Sequence, residues 1–192
     1  MNETTRVEAF SDGVFAIAIT LLILEIKVPL EGDLGRALLL EWPSFLAFLS
    51  SFFTIGVMWM NHHRLFTLIE AADDILIGLN LLLLLGITWI PFPTALLATH
   101  THNRVAALVY STTFFAMSLI FQVFWGYATR RPGIMAADKS AGARQITWQY
   151  FMGPVLYLIA IGIAFVSGTA VLIWSALVAI YFAIPARVVV RK

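Results

Sequence analysis

The chain has 192 residues, 60% hydrophobic and only 12% charged, with a formal charge of +1 and a mean hydropathy of +0.89. A soluble domain carries about a quarter charged residues, so a water-soluble particle is excluded and a polytopic membrane protein with short loops is implied. The near-zero net charge offers no field for nucleic acid, and the absence of cysteine removes disulfides, thiolate metal sites and cysteine nucleophiles.

Six apolar segments, each near the ~20 residues that a spanning helix needs, predict an all-α protein with six transmembrane helices in a single domain over residues 1–192. The first, 9–28, is too long for a signal-peptide core; it lacks a small-residue cleavage site and closes on Glu25 and Lys27. The second is 42–60 and ends in NHHR, residues 61–64. The third, 75–98, contains WIPFPT, whose Pro91 and Pro93 are expected to end or kink the helix near its outer end. The fourth is 105–127. The fifth and sixth, 148–166 and 168–184, are nearly continuous, and Ser167, Gly168 and Thr169 mark the expected hairpin turn.

Lysine and arginine orient these spans. Arg6, Arg64, Arg130, Arg131, Lys139, Arg144, Arg187, Arg191 and Lys192 fall on one side, against Lys27, Arg36 and Arg104 on the other. Both termini are therefore expected in the cytoplasm of a multi-pass plasma-membrane protein. Trp42, Trp59, Trp125 and Trp148 fall near span ends, as interfacial tryptophans do.

Enzyme signatures are missing: there is no phosphate-cradling glycine loop, no G-x-S-x-G elbow and no H-E-x-x-H. His62 and His63 point ~100° apart on a helix and make a poor chelate. His100 and His102 read as solvated loop residues. No metal or other cofactor is expected, and neither is catalysis.

The first segment carries the most information. At ~100° per residue, Phe10, Gly13, Ile17, Leu21, Leu24 and Val28 share one stripe, with Thr20 at its edge and Arg6 one turn below Phe10. Asp12 lies about 140° from Ile17, so the carboxylate and the apolar stripe face different surroundings. Intramembrane carboxylates turn to protein partners rather than lipid.

Arg6, Phe10, Ser11 and Asp12 spell R-x-x-x-F-S-D at the head of the first helix. With GVFAIAITLL following, WMNHHRLF at 59–66 and LNLLLLLGITWIPFPT at 79–94, the chain resembles the transmembrane protein 175 family of endosomal and lysosomal potassium channels and their prokaryotic relatives. The resemblance implies a prokaryotic-type member that assembles as a homotetramer in lipid around a central pore lined by the first helix, since animal members carry two such units and dimerise. It makes Ile17 the narrowest apolar ring, with further layers at Leu21 and Leu24 and a hydroxyl at Thr20. It also implies a polar network that positions the first helix, for which Ser11 and Asp12 have Trp59, Asn61 and His62 as candidate partners. The function implied is passive, potassium-selective conduction, with protons leaking along a transient water wire. A proton-coupled secondary transporter and a non-conducting scaffold or sensor are the alternatives.

Overall fold

The computed structural model describes residues 4–29, 32–135 and 140–184, with side chains described for all of these except 140–145. Among the described residues the regular elements are helices, joined by short turns and extended links, with an isolated bridge between Ile69 and Met135. Most of the helix starts have a local cause. Asp33 caps α2 (Leu34–Leu40) by accepting from the Gly35 amide, and Pro43 sits in the first turn of α3 (Trp42–Phe66), where its missing N–H costs nothing. Asp73, Asn103 and Ser167 cap α4 (Asp74–Trp89), α6 (Arg104–Arg130) and α8 (Gly168–Ala183) in the same way. Ser167 thus opens the last helix directly after α7 (Ser140–Ala164), giving the hairpin that its residue type suggests.

Pro91 interrupts the ladder of α4 without stopping the chain's helical course. Ile90 stays helical (φ −55°, ψ −38°), and Pro91 becomes the first residue of α5 (Pro91–Thr99). The missing proline N–H breaks the hydrogen-bonded ladder, but its fixed φ suits a helix start.

The first segment differs from the continuous helix expected over 9–28. α1 spans Thr5–Leu21, tightens into a 3-10 turn at Leu22–Glu25, and gives way to extended backbone at Ile26 (φ −79°, ψ 114°). Pro29 disfavours helical backbone at Val28, and β-branched Ile26 and Val28 favour extension. Val28 is therefore not a member of a helical stripe. Leu24 reaches its position by a different route: at 3.0 residues per turn, three steps return about 360°, so Leu24 stands almost directly above Leu21.

Among the described residues, five segments are long and apolar enough to cross a bilayer: Thr5–Glu25, Trp42–Phe66, Asp74–Thr99, Arg104–Arg130 and Ile146–Ala164. α8 is equally apolar but has 16 residues, about 24 Å of helix against ~30 Å of hydrocarbon. α6 is the central element, burying Tyr110, Phe114, Phe124 and Trp125 completely against α7, α4, α5 and α8. α3 packs on α8, α5 and α1. α1 sits at the margin, resting chiefly on α3 and α4, with 22% of its apolar window buried against 44% for α3.

Candidate pore helix and the network behind it

α1 has two unlike faces. Ser11, Phe15, Ala18 and Leu22 are buried, while Phe10 (58%), Ile17 (62%), Leu21 (42%) and Leu24 (70%) are exposed in the protomer. Arg6 and Thr20 lie on the exposed side as well. The Thr20 hydroxyl donates back to its own helix, at 2.9 Å from the carbonyls of both Ala16 and Ile17. α1 seats closely on α3 near Gly56, where an added Cβ would stand 3.9 Å from Ile19 Cδ1.

Behind the buried face runs a chain of hydrogen bonds whose direction is fixed end to end. The Ser11 hydroxyl donates to the Val7 carbonyl (2.7 Å) and accepts from Asn80 Nδ2 (3.0 Å). That leaves Asn80 Oδ1 facing His62 Nε2 at 2.9 Å, so His62 donates from Nε2. All three side chains are no more than 1% exposed. The His62 ring is walled in by Phe15, Phe66 and Phe124 at centroid distances of 5.4, 4.6 and 6.5 Å. One residue from each of α1, α3 and α4 is thereby tied into a single buried unit.

Asp12 forms a second tie, nearer the rim. Trp59 Nε1 donates to its Oδ1 at 2.8 Å, with both side chains exposed in the protomer. His63 faces away from His62 and stacks on Trp59 at 6.1 Å. Asn61, a candidate partner for α1, turns instead to α8: its Nδ2 donates to the carbonyls of Val57 (2.9 Å) and Phe182 (3.4 Å). Arg64 reaches both Asn61 Oδ1 (3.3 Å) and the Ala183 carbonyl (3.2 Å), fastening the end of α8. Adjacent helical positions point ~100° apart, so Trp59, Asn61 and His62 serve three different neighbours.

A separate hydroxyl cluster joins α3, α5, α6 and α8. Ser51 lies 2.8 Å from the Thr94 hydroxyl and 3.1 Å from Tyr110, while Ser50 donates to the Leu172 carbonyl at 3.0 Å. It does not touch α1. Beyond the helix ends, Asp73 accepts from the Leu76 amide (2.9 Å) and the Tyr127 hydroxyl (2.6 Å), with Arg131 Nε at 3.5 Å. The Tyr127 hydrogen bond, the backbone bond and Arg131 hold this carboxyl below its ordinary range. The charge persists at neutral pH and pins α4 to α6.

Asn80 and Asp73 were not singled out by sequence reasoning. Each had a signal: Asn80 is the lone amide in ILIGLNLLLLLG, and Asp73 precedes an apolar run in the manner of a helix cap. Among the described residues no group of three histidine, aspartate or glutamate side chains could hold a metal ion. The arrangement contains no activated nucleophile. Its physical effect is to fix the rotation of one helix, so that an apolar, unpartnered stripe points in one direction.

Comparison with known proteins gives a consistent set of relatives. A family profile described as endosomal/lysosomal potassium channel TMEM175 matches residues 6–91. A potassium channel of Chamaesiphon minutus is 48% identical over 95% of both chains, and one of Streptomyces collinus is 45% identical over 95% of this chain and 92% of that one. The human endosomal/lysosomal proton channel TMEM175 is 36% identical over 62% of this chain, a match covering 26% of that longer protein. Among solved structures, the crystal structure of a lysosomal potassium-selective channel TMEM175 homolog from Chamaesiphon minutus superimposes with a TM-score of 0.83, covering 94% of this chain and 96% of that one at 48% identity.

Proposed function

Since the chain belongs to the endosomal/lysosomal potassium channel TMEM175 family, we propose that it is a potassium-selective channel of a prokaryotic plasma membrane rather than an enzyme. Four copies close a ring with α1 innermost, both termini are cytoplasmic, and α8 completes six crossings with the bilayer thinning to meet it. Ile17 forms the narrowest ring, and Leu21 and Leu24 form wider layers above it. The observation that carries this reading is the exposed stripe on α1 of a helix whose other face is locked by Ser11 and Asp12.

An isoleucine ring cannot replace an ion's hydration shell. When narrow it dewets and blocks conduction; when slightly wider it passes an ion that has shed part of its water. Shedding water costs less for potassium than for the smaller sodium ion, so selectivity follows from partial dehydration. A transient water file through the same ring passes protons. A proton-coupled carrier is disfavoured because α4 to α8 carry no carboxylate, lysine or arginine away from their ends.

The deciding experiment is Ile17→Asn, which offers hydrogen bonds to water at the constriction. The expected result is a larger potassium current with the potassium-over-sodium preference falling towards unity under bi-ionic conditions. Leu21→Asn acts in the same direction but more weakly. An unchanged reversal potential in a well-assembled Ile17→Asn tetramer overturns the pore assignment, and currents at carrier rates rather than unitary steps overturn the channel.

A further inference from the structure

Where the last two turns of α6 run beside the start of α7, a groove of about 740 Å³ opens on the protein surface. Its walls are apolar and half exposed, with Val123 on α6 and Phe151 on α7. Its floor is sealed by Trp125, whose indole N–H donates to the Thr147 hydroxyl at 2.8 Å. Two exposed guanidiniums, Arg130 and Arg131, line the end at which α6 leaves its membrane span. We propose that this groove binds one anionic phospholipid, with an acyl chain along Val123 and Phe151 and its phosphate on the two arginines.

The charge arrangement favours this ligand. Arg131 shares its Nε with Asp73 at 3.5 Å, whereas Arg130 has no carboxylate partner among the described residues. Its planar donor fork matches two phosphate oxygens. The C-terminal carbonyls of α6 carry partial negative charge and by themselves repel an anion. A phosphate is therefore held only while the arginines are present. A free phosphate would have no use for the apolar walls, which lie in the membrane span. The groove falls on the arginine-rich side that the proposed orientation makes cytoplasmic, where anionic lipids concentrate. Lipid binding itself does not depend on that orientation.

The test is native mass spectrometry of the intact protein in detergent, titrated with phosphatidylglycerol or phosphatidylcholine of identical acyl chains. Wild type should retain phosphatidylglycerol preferentially, and Arg130→Ala should weaken that retention roughly fivefold, the usual effect of one basic residue near an anionic surface. Gly126→Leu retains both arginines and fills the groove beside Trp125. A Cβ at Gly126 meets only the Arg130 guanidinium, at 3.9 Å, an ordinary contact, so the helix backbone has room for a side chain there, and this variant too should lose the lipid. Equal retention of the two lipids, or retention indifferent to Arg130→Ala, overturns the proposal. Loss in Arg130→Ala but not in Gly126→Leu, or displacement by millimolar inorganic phosphate, assigns a bare phosphate site and overturns it as well. Reversal potentials of the same variants should match wild type, which separates a failure here from a failure of the channel reading.

Discussion

The two faces of α1 carry similar side chains to opposite ends. Phe10 and Phe15 are phenylalanines five residues apart on one helix, yet Phe15 is 2% exposed and Phe10 58%. Phe15 packs on the His62 ring, and Phe10 points away from every neighbour in the protomer. In lipid an exposed apolar side chain is unexceptional, because acyl chains are as apolar as leucine. What separates α1 from a lipid-facing helix is therefore not its hydrophobicity. The polar fastening of the buried face sets the azimuth of the exposed one, and the shallow burial of α1 leaves that stripe uncovered in the protomer.

Truncating each face in turn breaks or sharpens this contrast. The largest effect is expected from Phe15→Ala, a loss of about 3 kcal/mol from the cavity left against His62 and α3. Phe10→Ala should change protomer stability by less than about 0.5 kcal/mol. Thermal unfolding in detergent measures both, and equal losses would erase the distinction between the faces. Next comes Asn80→Ala, which strips partners from both Ser11 and His62 and should cost ~2 kcal/mol. Channels that still assemble should keep wild-type ion preference, since the amide acts on orientation alone. Smallest is the rim tie: Trp59→Phe should cost ~0.6 kcal/mol, typical of a polar pair in a membrane bundle. Asp12→Ala should cost the same, and the double variant no more than either single one. A shifted reversal potential in a normally assembled Asp12→Ala channel would turn Asp12 towards the ions and reverse the face assignment.

Much of this organisation is legible in the residues. Apolar segment lengths locate the long helices, and the turn read at Ser167 and Gly168 falls where the structure begins α8. Helical phase separates Asp12 from Ile17 before any contact is known. The end of α1 is not legible by the same rule, because the pitch changes after Leu21 and a 100° step no longer applies. Nor does sequence distance reveal that Asn80 lies between Ser11 and His62. A lone amide signals that a partner exists, but identifying the partner needs the packing of three helices. Asn61 teaches the converse: its place beside His62 suggested α1, yet one step along the helix turned it to α8.

The one-way hydrogen bonding behind α1 has an electrical consequence. Hydroxyl and imidazole groups pass protons along by accepting at one site while releasing at another. The amide nitrogen of Asn80 donates to Ser11 and offers no lone pair in return, and the Ser11 proton is already committed to the Val7 carbonyl. A proton arriving at His62 thus has no onward step towards α1. The joint works as an insulator: it braces α1 mechanically while offering a proton no path from His62 into that helix.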